Sequence, residues 1–142
     1  MRERQVLCVG IPSSEIDPTF PHVEGFFSEA CARDDDWTAQ DFLPYLRKAE
    51  MQLWVVLAEG GGILGSAVTE VVRRPGGVVV ESRALGGVSG EGWVPALVEV
   101  VEDWAREDVE ALAVEVRGRP GLKKLFRPLG YDHEQVVVRK TL

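Results

Sequence analysis

A mixed α/β sheet layered with helices is the architecture implied by this 142-residue chain. Three features imply it. Apolar residues recur at helical spacing before about residue 50; they then alternate in three consecutive runs joined by tight turns; after residue 92, helical and extended patterns follow one another. The resulting order is β-α-α-β-β-β-α-β-α-β, a mostly antiparallel α+β sheet flanked by helices in a single domain over residues 1–142. The length suits one ordinary core without staples.

The elements follow in chain order. Gln5–Gly10 reads as a short strand, and Ile11–Pro21, with three prolines and an Asp-Pro step, is expected to hold little regular structure. From about His22 to Arg33, Val23, Phe26, Phe27, Ala30 and Cys31 fall on one helical face, and Asp34–Asp36 forms a self-repelling turn. Thr38 is a suitable N-cap, with Asp41 at the third helical position and a second helix running to about Glu50. Gln52–Ala58, Ile63–Val72 and Val78–Leu85 are three strands of a meander, turned at Glu59–Gly62 and at Arg74–Gly77. A glycine-rich loop, Gly86–Gly92, leads into a helix carrying Trp93, Leu97, Val100, Val101 and Trp104 on one face. Ala111–Val116 is a further strand, Leu122–Leu129 a short helix, and Gln135–Arg139 a closing strand.

Composition narrows the function classes. The chain is 45% hydrophobic and 27% charged, with a net charge of −7, values of an average soluble globular protein rather than a disordered one. Its purely apolar stretches are a few residues long, far short of the roughly 18 to 20 that span a bilayer, and the first residues make no secretory signal. A cytoplasmic protein without a membrane partner is expected. Residues 1–113 hold nine Lys/Arg against 20 Asp/Glu, a balance of −11, whereas residues 114–142 hold seven against three, a balance of +4. Arg117, Arg119, Lys123, Lys124 and Arg127 therefore form either a positive rim able to hold phosphate or a plain solvated helix face. The acidic remainder makes nucleic acid a poor partner. Cys8 and Cys31 read as buried thiols. His22 and His133 are far apart, and no Cys/His cluster accompanies them, so no metal is expected. No G-x-S-x-G elbow and no P-loop is present.

Two motifs then carry a resemblance. Gly87-Val88-Ser89-Gly90-Glu91-Gly92 fits the form Q/R-x-x-G-x-G/A except at its first position, and it stands between a strand and a helix. Further on, Leu125-Phe126-Arg127-Pro128-Leu129-Gly130-Tyr131 parallels L-Y-x-x-x-G-F. In this order and spacing the chain resembles the GNAT family of acyl-CoA-dependent N-acyltransferases. Over about its last two-thirds it is also similar to small GNAT-like proteins of bacteriophages and prophages.

The resemblance implies acetyl-CoA or another acyl-CoA as cofactor, with Gly87, Val88, Ser89, Gly90, Glu91 and Gly92 around its pyrophosphate. Backbone N–H groups and the dipole of a helix N-terminus attract such an anion, and Gly86, Gly87, Gly90 and Gly92 leave the amides open to it. The plainer reading of the same loop is a flexible strand–helix connection. Glu91 brings a carboxylate where an anion would bind, and Arg119 and Lys123, or Lys124, are the candidates to supply positive charge. By the same resemblance Glu81 is the candidate general base for an unknown amine acceptor, with Glu70 second; each also reads as an outward strand residue. Phe126 stands where the family commonly has a Tyr acid, and Phe has no proton to give. Tyr131 reads as a core-edge residue. The alternative is a GNAT-fold protein without the chemistry, a structural or interaction module with protein partners in a phage particle or its assembly.

Overall fold

The computed structural model describes residues 6–32, 36–89, 92–118, 121–132 and 138–142. Five strands form one sheet in the order β1-β2-β3-β4-β5: β1 Val6–Ile11, β2 Gln52–Ala58, β3 Ile63–Arg74, β4 Gly77–Gly87 and β5 Ala113–Val116. The first four pair antiparallel, and β5 returns parallel to β4 after a 15-residue helix. Helices α1 Ile16–Thr19, α2 Glu24–Cys31 and α3 Leu43–Arg47 belong to the first half of the chain, and α4 Trp93–Glu107 and α5 Leu122–Phe126 to the second. The mixed, mostly antiparallel α+β sheet is thus the one expected from the sequence.

Strand alternation gives each sheet face its own core. Leu53, Val55, Val68 and Ala84 point to one face and are buried with Ile16, Phe20, Phe27, Phe42 and Leu46 of the N-terminal helical layer. Trp54, Val56, Ala67 and Val80 point to the other, where Trp93, Leu97, Val101 and Ala105 of α4 and Phe126 of α5 cover them. Each large side chain so buried contributes about 1.5–3 kcal/mol. Among the described residues the buried side-chain polar atoms are satisfied: the Trp54 indole N–H donates to Thr69 Oγ1 at 2.9 Å, and Ser66 Oγ to the Trp54 carbonyl at 2.6 Å. Cys8 and Cys31 are buried, and burial pushes the Cys8 thiol up to about 12.

Several elements differ from expectation for local reasons. Residues 13–22 are helical turns, Ser13–Glu15 and Phe20–His22 as 3-10 turns on either side of α1. Their prolines stand before or within first turns, where a missing N–H is tolerated, and Ile16 and Phe20 anchor them in the core. The expected helix over 22–33 is shorter, Glu24–Cys31. The second helix begins as a 3-10 turn, Ala39–Phe42, passes into α3 at Leu43, and stops before Ala49, whose φ is 58°. Its N-terminus is as read: the Thr38 amide donates to the Asp41 carboxylate at 2.7 Å.

Farther along, β3 runs on to Arg74, and β4 begins at Gly77 and continues through Gly86 and Gly87, so these two glycines are strand residues. Pairing with β3 as far as Gly65↔Gly87 extends the ladder through them. The fifth strand is Ala113–Val116, with Leu112 exposed. The fifth helix ends at Phe126 and tightens into a 3-10 turn over Arg127–Leu129 around Pro128. Of the expected closing strand, residues 135–137 lie outside the described residues, as do Asp34, Asp35 and His133 of the earlier readings.

Candidate functional site

Where β4 and β5 part, the sheet opens. Their parallel pairing covers four positions, from Val79↔Ala113 to Ser82↔Val116. Beyond it β4 continues for five residues, 83–87, that β5 does not pair. The fork lies at the C-terminal ends of both strands, the place where open α/β sheets receive ligands, and the N-terminus of α4 follows directly from the β4 arm.

Glu81 sits at the root of this fork. It alternates with Val80, so its side chain leaves the sheet on the face of the N-terminal helices. The register places three glutamates side by side across three strands, Glu70↔Glu81 and Glu81↔Glu115. Like charges at neighbouring positions repel, and three arginines separate them. Arg74 donates from Nη1 to Glu115 Oε2 at 2.7 Å and from Nη2 to Glu115 Oε1 at 2.8 Å and Glu81 Oε1 at 2.7 Å. Arg117 Nη2 donates to the same Glu81 Oε1 at 2.8 Å. Arg83 lies 3.6 Å from Glu81 Oε2 and 3.7 Å from Glu70 Oε2. It is the extra residue of a bulge, since Val68↔Ala84 is followed by Thr69↔Ser82, and its guanidinium lies over the Trp37 ring, 5.1 Å from the centroid.

The Glu81 side chain is only 5% exposed, against 33% for Glu70 and 30% for Glu115. Burying such a carboxylate is costly without partners, and Arg74 and Arg117 are those partners. The Arg74 hydrogen bonds also hold the Glu115 carboxyl below its usual range. Oε1 of Glu81 is occupied twice, while among the described residues the cation nearest Oε2 is Arg83 at 3.6 Å, beyond hydrogen-bonding reach. Among the described residues, no group of three or more His, Cys, Asp or Glu is arranged to hold a metal.

The loop above the fork has an internal reason for two of its glycines. A Cβ on Gly87 would lie 2.4 Å from the Trp93 ring and 2.5 Å from the Leu64 carbonyl oxygen, and one on its pair Gly65 2.5 Å from the same indole. A Cβ on Gly86 would lie 2.6 Å from the Phe26 carbonyl oxygen. Trp93 thus rests on a floor of paired glycines, and its indole N–H donates to the Val88 carbonyl at 2.8 Å. The Val88 amide is itself used, donating to Leu64 at 2.8 Å. Val88, Ser89 and Gly92 are exposed, and nothing lies within 4 Å of a Cβ added at Gly92. The first turn of α4 holds no acidic residue. Gly90, Glu91 and Arg119 lie outside the described residues. Lys123 is exposed on α5.

The aromatic residues of the C-terminal motif are packed. Phe126 is buried, edge-on to Tyr131 at 5.1 Å. Tyr131 donates its hydroxyl to Glu102 on α4 at 2.8 Å, and burial, with that carboxylate beside it, pushes the phenol above its usual range.

Sequence reasoning missed the arginine set. Arg74 was read inside a turn, Arg83 and Glu115 as plain strand residues, and Arg117 as part of a basic rim. It also missed an open groove of about 530 Å³ along residues 36–50, lined by Asp36, Trp37, Asp41, Tyr45, Lys48 and Glu50 among others. Trp37 joins this groove to the fork, stacked on Phe42 at 5.3 Å and meeting Arg83. Neither feature is local: each needs the strand register or the packing of distant turns.

No protein-family profile and no curated protein sequence matches the chain. Solved structures do match, over nearly its whole length. An aminoglycoside acetyltransferase from an uncultured soil metagenomic sample has a TM-score of 0.74 at 14% identity, covering 97% of this chain and 99% of that one. An aminoglycoside N-acetyltransferase in complex with CoA has a TM-score of 0.73 at 16% identity, covering 99% and 97%. A ribosomal-protein-alanine N-acetyltransferase from Brucella melitensis biovar Abortus 2308 has 0.68 at 16%, covering 96% and 100%. At such identities the likeness is one of fold, and the fold of this chain is that of the GNAT acetyltransferases.

Proposed function

We propose that the protein is an acyl-CoA-dependent N-acyltransferase acting on an amine. The observation that carries this reading is the fork itself, with a buried glutamate at its root, on a fold shared end to end with acetyltransferases, one of them solved with CoA. The residues present fit such a cofactor. The β4 edge over residues 83–87 is free of β5, Gly92 stands open, and the first turn of α4 carries no acid, so Glu91 just ahead of it is the one carboxylate of the loop. Gly87, Val88, Ser89, Gly90, Glu91 and Gly92 would border the pyrophosphate, although Gly86 and Gly87 are also required by packing and the Val88 amide is already used. Arg119 and Lys123 would add positive charge. The cofactor supplies an activated acyl thioester.

Glu81 is the base in this reading, taking the amine proton directly or through a water at Oε2, which accepts no hydrogen bond from the side chains of the described residues. The groove along residues 36–50 has three carboxylates and one ammonium in its lining; Arg139 pairs with Asp36 at 2.7 Å, and the small acidic excess that remains suits a cationic acceptor. Phe126 offers no proton and the Tyr131 hydroxyl is committed to Glu102, so neither would serve as the acid for a thiolate leaving group.

A second reading draws on the same geometry. Glu81 held by two arginines, with Phe126 in place of an acid, also suits a GNAT-fold module that has lost the chemistry and binds partners. A phage-particle role has no support among the structural neighbours.

Thermal-shift titration with acetyl-CoA, followed by a thiol-release screen of polyamine, aminoglycoside and peptide amines, separates the readings. Acyl transfer predicts a saturable rise in Tm that Gly90→Glu abolishes, and turnover that Glu81→Gln lowers by about 10²–10⁴-fold. No shift at millimolar acetyl-CoA would sink it.

A further inference from the structure

The Glu81 carboxylate is held from two strands. Arg74 approaches from the end of β3, but its guanidinium is committed bidentately to Glu115, and the same Nη2 that reaches Glu81 Oε1 also serves Glu115 Oε1. One shared donor on one oxygen leaves a carboxylate free to turn about its last torsion, which is broad and roughly two-fold. Arg117 supplies the second donor. It stands one residue past β5, at the first position where the two strands are no longer paired, and reaches back to Glu81 Oε1 at 2.8 Å. The two guanidinium groups therefore meet on one oxygen, and Oε2 faces Arg83 at 3.6 Å, too far for a hydrogen bond.

We propose that Arg117 is a positioning residue for Glu81, reaching from the free arm of the fork to fix Oε1 and so to present Oε2 for proton transfer. The proposal rests on the acyltransferase reading above. Arg117 suits this role rather than a structural one because of its setting. Its side chain is 55% exposed while that of Glu81 is 5% exposed, so little packing depends on it. The four β4–β5 backbone positions and the Arg74–Glu115 bidentate pair would remain without it. Glu81 would keep the Arg74 hydrogen bond and Arg83 at 3.6 Å and stay charge-compensated, but would lose the second hydrogen bond that restrains Oε1. A Lys at this position keeps the charge and a donor, though not the planar fork.

The test uses the full chain, acetyl-CoA, and whichever amine turns over in the screen described above. Arg117→Gln is expected to lower kcat by about tenfold or more, leaving the KM for acetyl-CoA within about twofold and the Tm close to that of the parent. Arg117→Lys is expected to restore kcat to within about threefold of the parent. An unchanged kcat in Arg117→Gln overturns the proposal. So does a loss confined to the KM for acetyl-CoA, which would make Arg117 a cofactor ligand. If the parent chain turns over no amine, the acyltransferase reading falls and takes this one with it; if Arg117→Gln alone behaves as the parent while Glu81→Gln is impaired, only the positioning role falls.

Discussion

Gly65 and Gly87 face each other across β3 and β4, and the Trp93 indole covers both. The consequence is a contrast between two glycines of one motif. Gly87→Ala would bring a Cβ against the Trp93 ring and also against the Leu64 carbonyl, which belongs to the backbone of the neighbouring strand and cannot swing aside. We expect it to destabilise the protein by about 1–3 kcal/mol, the usual cost of overpacking. Gly92→Ala meets nothing within 4 Å at a φ of −78° and should stay within about 0.5 kcal/mol of the parent. Urea midpoints of the two variants check this; equal midpoints would mean that Trp93 does not rest on this floor. Part of a phosphate-loop signature is thus explained by an indole.

At the scale of the element, β5 is a four-residue strand joined to β4 by few backbone bonds, and the Glu115–Arg74–Glu81 chain of ion pairs reinforces it from one face. The Arg74 hydrogen bonds depress the Glu115 carboxyl in the folded state. A depressed folded value adds stability that is present above the unfolded value, near 4.5 here, and is lost as pH falls through the folded one. Arg74→Met should therefore weaken the protein at neutral pH and flatten its loss of stability below about pH 4.5; both residues are about one-third exposed, so added salt should narrow the difference. Thermal melts between pH 3 and 7 at two salt concentrations measure it, and parallel curves for parent and variant would refute it. None of this chain of charges could be read along the sequence. Hairpin turns such as Glu59–Gly62, the Thr38–Asp41 cap and the apolar face of α4 were legible because each is a contact within a few residues. Glu81 was legible only by resemblance. Arg74, Arg83, Glu115 and Arg117 join it through register and a parallel return, separations of up to 41 residues. Gly86 and Gly87 looked like loop residues by composition, and pairing with β3 made them strand.

Across the whole molecule, the sheet is the shared wall of two cores. Adjacent residues of β2 point to opposite sides, Leu53 and Val55 into the layer of Phe27 and Phe42, Trp54 and Val56 into the layer of Leu97 and Val101. Neither layer can detach without exposing one face of the same strands, and a half-covered sheet would lose the apolar burial that favours folding over chain entropy. We infer that the chain is one cooperative unit. The tryptophans provide the test, because Trp37 lies with the N-terminal layer, stacked on Phe42, while Trp93 and Trp104 lie with α4, Trp104 edge-on to Trp54 at 5.2 Å. Urea unfolding followed by fluorescence in a Trp37→Phe variant reports the α4 side, the parent-minus-variant difference reports the other, and far-UV circular dichroism reports the backbone. Coincident midpoints and slopes are expected from all three. A Trp37 transition preceding the other two would mean that the N-terminal layer opens by itself, and the groove along residues 36–50 would then belong to a separately mobile part of the molecule rather than to a preformed acceptor site.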